Sequence, residues 1–239
     1  VRFESITEAY TGFNLAGPEA RAILSTLTDT PLDNESFRFM RSKQAQVAGI
    51  DAILLRVSFS GDLGWEIYVP VEQQLALYNA LLAAGEPYGM VPVGSRSLLS
   101  LRLEKGYGSW GREYSPEYRP QEVGMEHLIK PEKADFLGRD AYIALKDNAP
   151  REQLVMLEID VTTADASGGE PVFSTDGLAV GHITSGAYGH SVGVSLALGF
   201  IRTPYLEQTE FDVAILGKPH RARILHNPLF DPQGERLRS

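Results

Sequence analysis

The stretch Ser58-Phe59-Ser60-Gly61-Asp62-Leu63-Gly64-Trp65-Glu66-Ile67-Tyr68-Val69-Pro70 joins two apolar runs through a glycine-punctuated turn. Leu54, Leu55 and Val57 lead into it, and Ile67, Tyr68 and Val69 lead out. Apolar runs of this kind, bounded by Gly, Asp and Ser, read as strands. Gly61 and Gly64 permit either an unusual backbone shape or the close approach of something flat. Glu66 then opens an apolar strand. There a carboxylate must stay solvated, find a cation, or accept hydrogen bonds from a ligand. On the residues alone, an ordinary hairpin with Glu66 on its wet face is the simpler reading.

Working outward, residues 10–16 read as a strand. Gly17-Pro18-Glu19 starts a helix over 20–27, with proline in the first turn. Residues 37–47 and 50–59 read as paired strands around an Ala48-Gly49 turn. Residues 72–84 give the clearest helix, with Leu75, Tyr78, Leu81 and Leu82 on one face and Gly85 as its cap. A second helix spans 95–105, closing at Gly106, with Leu98, Leu101 and Leu103 partly buried. The alternation predicts an α+β sheet with helices packed on one side. Residues 107–120 crowd Gly, Pro, Tyr and Trp into an ordered surface loop, and a short helix follows over 139–146. Asp147-Asn148-Ala149-Pro150 breaks the chain. Six short β-rich runs follow, at 154–161, 171–174, 178–185, 195–201, 211–215 and 221–225, the pattern of a small barrel or sandwich. The expected domains are therefore 1–150 and 151–239.

The bulk numbers narrow the function classes. A chain of 239 residues, 43% apolar and 22% charged, suits one large or two modest globular domains. Its net charge of −9 argues against nucleic-acid partners and anionic membranes. No apolar run approaches the length of a membrane span. With no signal-peptide pattern, the expected location is cytoplasmic. The absence of cysteine excludes disulfides and thiolate chemistry. The five histidines show no ligand spacing, so no metal is expected. No dinucleotide fingerprint and no Gly-x-Ser-x-Gly elbow is present. The chain begins at Val1, and its first five residues read as mid-protein sequence, so an N-terminal portion is expected to be missing.

Two further segments carry chemistry. In residues 101–113 a helix end runs into an aromatic loop. Glu104 and Lys105 read as solvated charges there and Trp110 as packing. Alternatively, Tyr107 and Trp110 wall a flat ligand while Arg102 or Arg112 meets its anionic tail, since a polyanion on an acidic chain needs a local cation. In residues 183–190, glycines flank Tyr188, which is either core or rim.

The order of Gly17-Pro18-Glu19-Ala20-Arg21, residues 61–70, residues 101–106, Asp135-Phe136-Leu137-Gly138-Arg139, Thr184-Ser185-Gly186 and Pro228-Leu229-Phe230-Asp231-Pro232 resembles consecutive landmarks of the glycine-cleavage T-protein (aminomethyltransferase) family. Glu104-Lys105-Gly106-Tyr107 and Trp110-Gly111-Arg112-Glu113 look most like the folate-binding part of dimethylglycine and sarcosine dehydrogenases. The resemblance implies a T-protein-like folate-binding domain followed by a small C-terminal β-barrel. It implies tetrahydrofolate as cofactor, with FAD confined to a missing upstream domain. It further implies a small secondary or tertiary amine as substrate and transfer of its one-carbon unit to a folate nitrogen. The carboxylate matching Glu66 would accept hydrogen bonds from the pterin, with two oxygens for two adjacent ring donors. The site set is then Glu66, Phe59, Trp65, Tyr107, Trp110, Arg112 and Tyr188.

Three departures matter. The family tyrosine seven residues before the glutamate is Phe59, the T-protein folate arginine falls on Leu98, and the family's key aspartate lies upstream of anything matched. No catalytic residue can be nominated in its place. The leading expectation is the methylene-capturing part of a flavin-dependent N-methyl amine dehydrogenase, inert and prone to self-association as a fragment. A stand-alone aminomethyltransferase or folate-dependent demethylase is the enzyme alternative. A folate-binding protein of the iron–sulfur repair type is the non-enzyme alternative. That branch carries Lys-Gly-Cys-Tyr, against Lys105-Gly106-Tyr107 here.

Overall fold

The computed structural model describes residues 2–239. The chain forms two compact units, one comprising the residues through Leu98 together with Asp231–Ser239, the other Leu99–Phe230. Compactness thus groups residues 99–150 with the strands that follow, where the sequence places a break near residue 150. Ion pairs from Glu122 to Arg119 and Arg151 tie this stretch to the start of the strand region.

In the first unit, β1 (Tyr10–Ala16), α1 (Ala20–Ser25), β2 (Ser42–Val47), β3 (Ile50–Leu55), β4 (Gly64–Pro70) and α2 (Gln74–Gly85) follow in order. The strands form one antiparallel sheet in the order β1-β4-β3-β2. Val47 pairs with Ile50 across a two-residue turn in which Ala48 (φ 51°) and Gly49 (φ 77°) are both left-handed. That turn matches the twist of the flanking strands, and it is comfortable for glycine but strained for alanine. Leu15, Val47, Ala52, Leu54, Trp65, Ile67 and Val69 face a core closed by Ile23 and Leu24 of α1 and Leu77 and Leu81 of α2.

Three expectations need correction. The strands expected over 37–47 and 50–59 are shorter, because Phe37 turns into the core and Arg56, fully buried, donates to the Phe37 carbonyl at 2.6 Å. The buried stripe of α2 is Leu77, Leu81 and Gly85, and Leu75 and Tyr78 are exposed. Finally, Gly85 is an ordinary helical residue (φ −83°), and the left-handed position is Gly89.

Helix α3 (Ser95–Glu104) begins where expected, and α4 (Arg139–Leu145) follows the loop region. Strands β5 (Glu152–Ile159), β6 (Pro171–Phe173), β7 (Ala179–Gly189), β8 (Val194–Arg202), β9 (Glu210–Ile215) and β10 (Lys218–Leu225) close into an antiparallel barrel, β10-β5-β8-β7-β6-β9. Of the two β architectures the residues allowed, the barrel is the one formed. Leu157, Val172, Ile183, Ala197, Ile201, Phe211 and Val213 fill its interior.

Candidate functional site

In the first unit, alternation along β4 sends Trp65, Ile67 and Val69 to the core and Glu66 and Tyr68 to the opposite face. Glu66 stands in register with Asn14 of β1 and Leu55 of β3, and Tyr68 with Gly12 and Ile53. The Tyr68 hydroxyl donates to Glu66 Oε2 at 2.8 Å. This bond, with burial and the carboxylate's charge, raises the phenol above its ordinary range. Glu66 is half-buried, and its Oε1 accepts no hydrogen bond among the described residues. Phe59 is half-buried in the bend before β4.

Trp65 is a different matter. It is 0% exposed and packs edge-on to Phe37. The guanidinium groups of Arg21 and Arg56 lie 5.8 and 5.6 Å from its ring centre. A ring enclosed in this way cannot wall a ligand, so its expected place in the site is replaced by one in the core. Both arginines also donate to the Ser239 main-chain oxygen, at 2.6 and 2.9 Å. A charge inside the run Leu54-Leu55-Arg56-Val57 was the sequence signal for this buried group.

In the second unit, the end of α3 and the loop after it hold a buried charge cluster. Arg102, Glu104, Lys105 and Glu113 are all buried, which corrects the reading of Glu104 and Lys105 as solvated. The Ser191 N–H donates to Glu104 Oε1 at 2.8 Å. Glu113, 0% exposed, accepts from Arg102 Nη1 (3.1 Å), the Ser109 N–H (2.8 Å), Thr184 Oγ1 (2.5 Å) and Ser185 Oγ (2.5 Å). Consecutive strand residues normally face opposite ways. The β7 ladder shifts register between Ile183 and Ser185, and this bulge lets both hydroxyls reach one carboxylate. Burial alone would raise the Glu113 carboxyl, but the two hydroxyls, the Ser109 N–H and Arg102 outweigh it and hold it below the ordinary range. Arg102 is thereby committed to Glu113 and to the Tyr107 carbonyl (2.9 Å), and is not available to a ligand.

The loop that Glu113 anchors presents Trp110, 85% exposed, with Arg112 exposed beside it and Tyr107 half-buried. Tyr188 on β7 is exposed at its ring, edge-on to His190, while its carbonyl accepts from Ser100 of α3 at 2.5 Å. Of the seven expected site residues, Glu66, Phe59 and Trp65 lie in the first unit and Tyr107, Trp110, Arg112 and Tyr188 in the second. The Arg102–Glu113–Thr184–Ser185 network and the Tyr68–Glu66 bond were not foreseen. Among the described residues no group of His, Asp and Glu is placed to hold a metal ion.

A mixed α+β unit followed by a closed six-stranded barrel is an aminomethyltransferase architecture. The crystal structure of the glycine cleavage system aminomethyltransferase T from Bartonella henselae matches 93% of this chain and 60% of its own, with a TM-score of 0.81 and 26% identity. Residues 1–133 match the GCVT N-terminal domain, and residues 152–231 match the glycine cleavage T-protein C-terminal barrel domain. The chain belongs to the glycine cleavage T-protein family. Mitochondrial dimethylglycine dehydrogenase from Homo sapiens is 34% identical over 99% of this chain, which spans 28% of that protein. Aminomethyltransferase from Exiguobacterium sibiricum is 30% identical over 96% of this chain, which spans 62% of it.

Proposed function

We propose that this chain is the tetrahydrofolate-binding part of a flavin-dependent N-methyl amine dehydrogenase, capturing on folate the one-carbon unit released from a small amine such as dimethylglycine or sarcosine. The observation that carries the reading is Glu66, a half-buried carboxylate with one oxygen held by Tyr68 and the other accepting no hydrogen bond among the described residues. Oε1 and the remaining lone pair of Oε2 together suit a ring edge with adjacent N–H donors, so the residues present fit a pterin. The likeness over 99% of the chain to human dimethylglycine dehydrogenase supports the dehydrogenase context.

Glu66 would orient the pterin. Phe59, in the same unit as Glu66, would offer it aromatic surface. Tetrahydrofolate, when bound, supplies the nitrogen nucleophile that receives the one-carbon unit. FAD belongs to a part of the protein outside this chain. The chain's own residues bind and orient, and none is assigned as acid or base. A stand-alone aminomethyltransferase is the second reading, favoured by the Bartonella henselae match.

Calorimetry of tetrahydrofolate binding to the Glu66→Gln variant of the longest natural form is the test. Affinity should fall by about 1–3 kcal/mol, the cost of setting a donor against a donor in a partly buried site. Unchanged affinity removes Glu66 from the site. Incubated with dimethylglycine, an electron acceptor and tetrahydrofolate, the chain alone should form no methylene-tetrahydrofolate.

A further inference from the structure

We propose that Tyr68 is a positioning residue for Glu66: its hydroxyl fixes the carboxylate so that Oε1 is presented to a ligand edge bearing adjacent N–H donors, and Gly12 supplies the gap that allows it. This rests on the reading of Glu66 as the folate acceptor and extends it to two residues outside the expected site set.

The geometry begins with strand alternation. Residues two apart on one strand share a face but stand side by side, so a phenol reaches its neighbour's carboxylate only by leaning along the sheet. The Tyr68 ring does so across β1, where its register partner is Gly12. A Cβ at position 12 would lie 2.8 Å from Tyr68 Cε1 and 3.1 Å from Cδ1. A side chain there must shift the ring whose hydroxyl makes the 2.8 Å bond to Glu66 Oε2. The other register neighbours of the pair are Asn14, Ile53 and Leu55, and none is charged. Tyr68 is therefore the group that holds the carboxylate's orientation from within the sheet. A glutamate without that bond would sample several rotamers, and a ligand would have to order it on binding. The same contact raises the phenol above its ordinary range, because the hydrogen bond to Glu66, burial and the carboxylate's charge all favour the neutral hydroxyl.

The first arm of the test reads the bond without any ligand. In ζ-carbon-labelled tyrosine NMR of this chain, the signal lost in Tyr68→Phe should titrate above the ordinary phenol midpoint of about 10. It should fall back toward that value in Glu66→Gln. A Tyr68 midpoint that Glu66→Gln leaves unmoved overturns the inference.

The second arm measures 5-formyltetrahydrofolate affinity by calorimetry in the longest natural form. Tyr68→Phe should bind about tenfold more weakly, and Gly12→Val should lose affinity in the same direction. The Tyr68→Phe penalty should vanish when Glu66→Gln is already present, which a general packing role would not produce. An equal penalty in both backgrounds overturns the inference. Loss in Glu66→Gln with none in Tyr68→Phe overturns it while leaving the folate reading standing. Unchanged affinity in Glu66→Gln overturns both.

Discussion

Replacing Glu113 with glutamine removes one charge from the most enclosed polar cluster of the second unit. The carboxylate is 0% exposed and its cation, Arg102, is 1% exposed. Glutamine keeps the shape and one acceptor oxygen, and the Thr184 and Ser185 hydroxyls can turn to accept from its amide. Arg102 cannot adapt: among the described residues its charge stays buried with no other counter-ion, and its Nε already lacks a partner. Orphaning one member of a buried pair costs about 3–5 kcal/mol. Because the acceptor survives, about 3 kcal/mol is expected, a large share of the roughly 5–15 kcal/mol that stabilises a typical domain. Urea denaturation should show a lower midpoint at an unchanged slope.

Two companion measurements isolate the charge. Adding Arg102→Met should restore part of the loss, since no orphan cation remains. The acid limb should also change. A carboxyl held below its ordinary 4.5 binds fewer protons when folded than when unfolded. Its contribution is thus complete above about pH 4.5 and fades as pH falls through the lowered value; Glu113→Gln should flatten that limb. A loss below about 1 kcal/mol, or strict additivity with Arg102→Met, would refute the reasoning.

Glu122, held from 4.5 down to about 2 by Arg151, the Arg119 and Arg151 N–H groups and Arg119 against the opposing effect of burial, should contribute at most about 3 kcal/mol at neutral pH. Arg151 is largely exposed, so solvent screening trims this, and chemical denaturation of Glu122→Gln should show a loss of about 1–3 kcal/mol that disappears between pH 4.5 and 2. Ala48→Asn should stabilise the chain by about 0.5–1 kcal/mol, because asparagine tolerates the left-handed turn better than alanine. Thermal melts that show no gain would mean the turn is not the source of strain. Trp65→Ala should cost about 3–5 kcal/mol of stability, and Trp110→Ala under about 0.5. Comparable losses for the two would contradict their assignment to core and surface.

Much of the fold was legible because it is written in short periods. The Gly17-Pro18 helix start, the Ala48-Gly49 turn and the short β-rich runs after residue 150 each declare themselves within a few residues, and the elements form there. The α2 face was misread because Leu75, Tyr78, Leu81 and Leu82 fit a helical stripe as well as Leu77, Leu81 and Gly85 do. Only packing against the sheet chooses between them.

The candidate site divides along the same line. Glu66 stood out alone because a carboxylate in an apolar strand is locally anomalous. Its bond to Tyr68 depends on a gap left by Gly12, more than fifty residues upstream, which no local pattern announces. Trp65 has the same composition of neighbours as a ligand-facing aromatic, and strand parity decided that it faces the core. The Glu113 hub joins residues about seventy positions apart through a register shift in β7. By itself, then, the sequence determined the elements, the family and the one anomalous carboxylate, all properties of local period and residue type. Which charges are buried, which aromatics are exposed and what holds Glu66 in place were decided by tertiary structure, because burial and hydrogen-bond partners belong to pairs of distant segments.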